Sequence, residues 1–413
     1  MIEPAQADPL VATMSAAIGG PRGRHAHGYV DWLPAGAVVL VLTTLTFAVG
    51  MLQKTSCATR GWDSGIRYTH LCASEVPGAY AAQGLDHPVL TTYWASVMAQ
   101  LTRWIHDSTT MFVIVNGVGF ALLAVLAAFL LTRVRPDRPW EIAAFAVSPA
   151  LLLTGLVSWE LLAVAAVAAA LWAYSRGDLG LTGVAIGLGT AADVYPVALL
   201  VALLILSIRR RELGSWAIVT LVAGASWFIL NVPAMLNRWD AWKGFWSQLI
   251  HHGAGAGSFW LLLQDSSGTS IAPATLNICA GIVLGALLVG ILTLGVLAHR
   301  EPTFAELGLL CVLAVVLVDK VYAPQYVLWL LPLAVLARPR WRDQLAWQGA
   351  EVLFFCATAW NLAGLMSSGD GPAAMYDITI AIRLCAEIGL GGAVVFSLLR
   401  PQTMTVSSNV VVV

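Results

Sequence analysis

Long apolar runs, each closed by a short polar or proline-bearing break, set the rhythm of the chain. A helix needs about 20 apolar residues to cross a bilayer. Runs of that order fall at roughly 33–52, 109–131, 140–157, 159–175, 179–193, 195–208, 214–231, 274–298, 304–319, 322–337, 345–366 and 376–399. They predict an all-α, polytopic membrane protein of about 12 spans whose termini share one side. The run 179–208 is interrupted by Asp193-Val194-Tyr195-Pro196, which leaves halves of about 14 residues, or about 21 Å. That is short for a hydrocarbon layer about 30 Å thick. The run 140–175 breaks at Ser158-Trp159-Glu160. Both breaks are expected to sit below the membrane surface and line a cavity, because irregular backbone and acids at that depth need protein or water around them. The plainer reading is a buried acid paired with a base.

The stretch 55–104 departs from this rhythm and crowds cysteines, acids, bases, prolines and aromatics together. Within it, Pro88–Ile105 is apolar enough to suggest a span, but a span there would move Arg133, Arg135 and Arg138 to the opposite side. It is better read as an amphipathic helix on the outer leaflet, with Trp94 and Trp104 at headgroup level. The organisation is then a disordered tail over 1–30, a membrane domain over 31–400 with an extracytoplasmic loop at 53–108, and a second tail over 401–413.

Composition sharpens the class. The chain is 59% hydrophobic and 11% charged, against about 25% charged for a soluble domain. The net charge of −1 and the lack of any basic run longer than Arg209-Arg210-Arg211 give no sign of a nucleic-acid partner. No cleavable signal peptide is evident before the first run. The inner segments hold fourteen arginines (Arg22, Arg24, Arg133, Arg135, Arg138, Arg176, Arg209, Arg210, Arg211, Arg300, Arg338, Arg340, Arg342, Arg400). The outer ones hold seven bases (Lys54, Arg60, Arg67, Arg103, Arg238, Lys243, Lys320). By the positive-inside rule both termini are cytoplasmic.

Cys279, Cys311, Cys356 and Cys385 lie in apolar runs and read as small core residues. Cys57 and Cys72, fifteen apart, flank a polar loop. Free thiols are one reading, but an outer loop favours a disulfide, worth about 3 kcal/mol through loop closure. Candidate chemistry gathers on the outer side. Glu75 follows Cys72 by three residues, Asp86-His87-Pro88 precedes the amphipathic helix, and Glu160, Asp193 and Asp319 sit at helix breaks. Lys320, with Tyr322, Gln325 and Tyr326, could bind a phosphate and sugar hydroxyls together, or merely anchor a helix end. Arg60, Arg67, His251, His252 and Arg383 are further candidates for an anionic ligand. No acid or cysteine stands at helical spacing from His251-His252, so no metal is expected. Trp239, Trp242 and Trp246 share one helical face, as an interfacial belt or a sugar-stacking platform. The glycines of 253–257 read as a flexible loop with no strand before it.

Several segments together resemble a known family. They are Cys57…Cys72-Ala73-Ser74-Glu75, Asp86-His87-Pro88-Val89-Leu90-Thr91, Trp159-Glu160-Leu161-Leu162-Ala163, Gly187 through Pro196, and Lys320-Val321-Tyr322-Ala323-Pro324-Gln325-Tyr326 through Pro332. With the long first outer loop they resemble the GT-C membrane glycosyltransferases. More narrowly, they resemble the actinobacterial polyprenol-phosphate-mannose-dependent mannosyltransferases of family GT87. In that family an Asp commonly stands at position 75, an Asp at 160, a Lys at 193 and an Asn at 319, so this chain carries a more negative pocket.

The resemblance implies a plasma-membrane enzyme that moves a sugar, expected to be mannose, from a polyprenyl-phosphate donor to a glycolipid or cell-envelope glycan acceptor, with inversion and no cofactor. Glu75 would be the base and Asp86 the runner-up. His87, Glu160, Asp193, Tyr195, Lys320, Tyr322, Gln325, Tyr326 and, more weakly, Arg67 would meet substrate among membrane lipids. The competing role for Glu75 is that of a loop-capping acid. Two other classes stay open: a lipid or solute transporter or flippase, which broken helices with acids also fit, and a homologue that binds polyprenyl lipid with little catalysis.

Overall fold

The computed structural model describes residues 32–62, 65–80, 87–105, 108–366 and 374–400. The protein is all-α. Helix α1 (Trp32–Arg60) is followed by two single turns, α2 (Ile66–Thr69) and α3 (Val76–Ala79), and by the amphipathic α4 (Val89–Thr102). Then come α5 (Ser108–Val134), the short α6 (Ala143–Ala146) and α7 (Pro149–Thr154), α8 (Glu160–Ser175), α9 (Leu179–Ala192) and α10 (Ala198–Arg210). The second half holds α11 (Leu213–Asn237), α12 (Trp239–His251), α13 (Phe259–Ser267), α14 (Pro273–Leu297), α15 (Phe304–Val318), α16 (Val327–Ala337), α17 (Trp341–Leu362) and α18 (Ala374–Leu399).

Among the described residues α1, α5, α11, α14 and α18 are long and apolar enough to cross a membrane. Of these, α11 and α14 are the least buried; α14 buries only Leu276 and Gly295 along its 25 residues. The shorter apolar helices α8, α9, α15 and α16 form the centre, and every residue of α16 is buried. Helices of 14 and 11 residues are about 21 and 17 Å long, against about 38 Å for one of 25. The breaks beside the short helices line one cavity. Close helix approach helps to build the centre. A Cβ on Gly183 or Gly187 of α9 would stand 2.8 or 2.4 Å from the carbonyl oxygens of Val219 and Ala223 on α11, so this small-residue pair admits the α11 backbone.

Four expectations change. The run 140–157 is no single span: Pro139 opens a 3-10 turn, and Ser148 caps a new helix begun by Pro149. Helix α1 continues past residue 52 to Arg60, because Lys54 is buried and its ammonium donates to the Ala73 carbonyl at 2.9 Å. The polar segment thus begins at Gly61. Helix α4 is docked on the bundle: Trp94 Nε1 donates to Asn116 Oδ1 (3.0 Å), Thr91 to the Ala192 carbonyl (2.8 Å) and Tyr93 to the Leu230 carbonyl (3.3 Å). Trp104 alone of the two tryptophans is exposed. Finally, the 253–257 glycines form a backbone-paired segment. Gly255 N–H donates to the Lys320 carbonyl at 2.7 Å and Tyr322 N–H to the Ala256 carbonyl at 3.0 Å. Gly257 has φ +74°, and a Cβ there would lie 2.3 Å from the Tyr322 oxygen, so only glycine fits. The two tails and Asp86 lie outside the described residues.

Beneath that paired segment sits a buried charged group. Arg383 makes two 2.9 Å bonds to Glu387, donates to the Gly257 carbonyl at 2.9 Å and lies 3.6 Å from the Tyr322 ring centre. Tyr322 donates its hydroxyl hydrogen to Glu351 at 2.9 Å. At the opposite end of the bundle Arg209 donates to the Gly295 and Ala298 carbonyls and Arg210 pairs with Glu301.

Candidate functional site

The segment 70–76 is fixed from three sides. Cys57 and Cys72 are joined by a disulfide with their Cα atoms 5.9 Å apart. Gln53 donates to the His70 and Leu71 carbonyls at 3.1 and 2.6 Å. Ser74 Oγ donates to the Leu156 carbonyl at 2.8 Å, and the Glu75 N–H to that of Val157 at 2.8 Å. Leu71 is held at φ +56°, a backbone state that persists only where the surroundings over-determine it. Glu75 occupies the position before α3 yet makes no side-chain cap bond, which argues against the capping role. Its side chain is exposed, and its Oε1 accepts from Gln325 Nε2 at 3.3 Å.

Glu75 borders a cavity of about 660 Å³, within the range of small-molecule sites. His87 and Tyr195 line it, with Glu160 and Asp193 from the first two helix breaks. Asp319, Lys320, Gln325 and Tyr326 line it from the third. Eight of the sequence candidates besides Glu75 thus converge, although they span 240 residues of chain. Arg67 and Tyr322 do not face this cavity. They border a second one of about 510 Å³, whose wall Glu75 and Gln325 share.

Trp329 was not among the candidates, and it organises the floor. Its Nε1 donates to Glu160 Oε2 at 2.5 Å. Its ring stacks on Tyr195 with centroids 4.6 Å apart and on Tyr326 at 3.8 Å. Its place within the 320–332 motif was the available signal. Trp159 likewise packs on His87 at 4.9 Å. The Tyr195 hydroxyl is buried without a hydrogen-bond partner among the described residues.

Electrostatics separate the groups in the connecting segments. Burial pushes the Asp319 carboxyl up to about 6 despite the Lys320 and Val321 N–H groups beside it. Burial also raises Asp193, although its Oδ1 accepts from the Val194 N–H at 2.7 Å. Lys320 is lowered by desolvation, partly offset by Asp319. Its ammonium donates to the Leu249 and Ile250 carbonyls (2.7 and 3.2 Å) and to Asn277 Oδ1 (2.8 Å). An ammonium has three hydrogens, so Lys320 acts here as a strap across the last turn of α12.

Among the described residues no three His, Cys, Asp or Glu side chains group as metal ligands. The cavity therefore offers one exposed carboxylate, several half-buried carboxyls and phenols that can accept or donate to hydroxyls, and an aromatic floor. That chemistry suits a sugar.

No curated protein matches the chain. The family model of glycosyltransferase family 87 matches residues 87–319, more than half of the 413. This interval carries the first two breaks and ends on Asp319, and with the fold and the cavity it identifies the chain as a member of glycosyltransferase family 87, a membrane glycosyltransferase.

Proposed function

We propose that the protein moves a sugar, mannose in the first instance, from a polyprenyl-phosphate donor to an alcohol of a glycolipid or cell-envelope glycan. The observation that carries this reading is Glu75: an exposed carboxylate on a pinned segment, hydrogen-bonded to Gln325 and bordering a sugar-sized cavity lined by the helix breaks. Transfer breaks the bond between the sugar's anomeric carbon and the phosphate oxygen. It forms one from the acceptor oxygen to that carbon on the opposite face. The acceptor proton goes to Glu75, and the electron pair of the broken bond stays with the polyprenyl phosphate. One displacement inverts the centre, and a positioned base contributes on the order of 10²- to 10⁴-fold.

The arginine bias supports a plasma-membrane topology with cytoplasmic termini and the Glu75 end facing out. Membranes supplied with radiolabelled polyprenyl-phosphate mannose test the reading. Label should pass to a lipid or glycan fraction with wild type and fall at least 100-fold in Glu75→Gln. Undiminished transfer in both Glu75→Gln and Asp86→Asn would remove the base assignment.

A further inference from the structure

A group of charges sealed inside the bundle takes no part in the transfer step. Arg383, Glu387 and Glu351 are 1%, 0% and 3% exposed. Charges so deep are costly unless each is paired, so what they hold is informative. Arg383 donates to the Gly257 carbonyl at 2.9 Å and lies over the Tyr322 ring at 3.6 Å. Glu351 accepts the Tyr322 hydroxyl hydrogen at 2.9 Å, and its other oxygen accepts from Trp347 Nε1 at 3.1 Å. The Tyr322 N–H is bound as well, by the Ala256 carbonyl at 3.0 Å. Tyr322 is therefore fixed by its hydroxyl, its ring and its backbone, in a stretch that is not helical.

Three residues on, Gln325 sits in the single turn Pro324–Tyr326 that leads into α16. It is 4% exposed, and its Nε2 donates to Glu75 Oε1 at 3.3 Å. The far side of the turn is fixed too, because Tyr326 stacks on Trp329 and Trp329 donates to Glu160. The amide nitrogen must face Glu75, since an amide oxygen there would repel a carboxylate. Among the described residues Glu75 Oε2 has no hydrogen-bond partner, so one oxygen is held and the other is left for the acceptor alcohol. An amide donor suits both states of the acid: it can bond a carboxylate oxygen, or the carbonyl oxygen of the protonated form. The contact can therefore persist while Oε2 takes up the proton.

Resting on the transfer reading above, we infer that Gln325 is a positioning residue that aims Glu75, and no substrate ligand. The Tyr322, Glu351 and Arg383 group is the support from which its turn acts. The buried charges of α17 and α18 thus reach the reaction through one tyrosine and one amide.

Initial rates on membranes carrying the full-length protein, with radiolabelled polyprenyl-phosphate mannose varied, test the assignment. Gln325→Met keeps most of the volume and removes the donor. It should lower kcat about 10- to 100-fold, the scale of a reacting group misplaced by about 1 Å, with the donor KM within about twofold. A raised KM with kcat unchanged would make Gln325 a substrate ligand and overturn the assignment. In the Glu75→Gln background the same substitution should cost nothing further, whereas an additive loss would show that Gln325 does not act through Glu75. Tyr322→Phe keeps the ring under Arg383 but not the hydroxyl. It should lower kcat about 3- to 10-fold and speed amide exchange over 319–326; wild-type rate and exchange would detach the buried group from the base. A readout without turnover is labelling of Glu75 by a water-soluble carbodiimide and glycine ethyl ester, mapped by mass spectrometry. Freed of its donor in Gln325→Met, the carboxylate should label about threefold faster or more, and equal labelling would overturn the assignment. Faster labelling in a protein that transfers no sugar would retain the tie between Gln325 and Glu75 and discard the enzymatic reading. Transfer lost in Glu75→Gln, with KM alone changed in Gln325→Met, would do the reverse.

Discussion

Asp319→Asn tests the electrostatics of the cavity. The carboxyl lies on the segment that follows α15, and its Oδ1 accepts from the Lys320 N–H at 2.7 Å, a bond that an asparagine oxygen retains. Burial lifts the group from an ordinary 3.8 to about 6. Its folded pKa lies above its unfolded one, so the folded state binds the proton more tightly. Below about pH 4 both states are protonated and the group imposes no penalty. Between about 4 and 6 wild-type stability falls as pH rises, and above 6 the full penalty stands. About 2 pH units at ~1.4 kcal/mol each give an upper bound of about 3 kcal/mol.

Asparagine never carries the charge, so the variant should match wild type near pH 4 and exceed it at pH 7.5. Unfolding entropy of about 2.1 cal/mol/K per residue makes 1 kcal/mol worth roughly 1 °C in a chain of this length. The expected gap at pH 7.5 is therefore about 1 to 3 °C, read by thermal unfolding in a non-ionic detergent at both pH values. A gap independent of pH, or one larger at low pH, would refute the reasoning.

Lys320→Met removes three hydrogen bonds to α12 and α14. It should lower local stability by about 2 to 4 kcal/mol, with faster hydrogen exchange over 238–258 and transfer reduced without loss of the fold. Unchanged exchange there would return Lys320 to the list of ligand-binding cations. Cys57→Ser should destabilise by about 3 kcal/mol and make the melt insensitive to reductant, whereas wild type should fall to the same level on reduction. Equal melts under all conditions would mean the bond constrains nothing. Arg383→Gln leaves Glu351 and Glu387 buried without their cation, a loss of about 3 to 5 kcal/mol. It should appear as a lower yield of folded protein that Arg383→Lys partly restores; wild-type yield from Arg383→Gln would mean that Arg383 does not hold the two buried acids in place.

Hydrophobic run length carried most of the architecture, since nearly every predicted span contains a helix. It failed where local chemistry overrode hydropathy. Lys54 ended the first run on paper, yet the Ala73 carbonyl satisfies its ammonium and the helix continues. Ser148-Pro149 was a legible cap inside 140–157, masked by the apolar residues around it. Trp94 read as a headgroup anchor because tryptophans commonly are, whereas Asn116, 22 residues away, gives its N–H an acceptor. The acids at breaks were identifiable as cavity residues from depth alone. Their partners were not: Glu160 with Trp329 is a contact across 169 residues, and no spacing rule reaches that far. Tyr322 looked like a ligand residue from its neighbours in the motif, and its hydroxyl is instead committed to Glu351. Glu75 and the 320–332 motif both fall outside the matched interval 87–319, so membership in the family rests on one set of residues and the proposed chemistry partly on another.

The bond between Gln325 and Glu75 joins positions 250 apart in the chain, and it has a consequence for biogenesis. During synthesis the N-terminal half of the bundle, with Glu75, emerges first, while the opposite wall of the pocket is still untranslated. Until the helices beyond Asp319 have been inserted and have docked, a nascent chain lacks the Lys320, Gln325, Tyr326 and Trp329 side of this cavity. The cavity is therefore a property of the finished bundle, since its walls come from both halves of the chain.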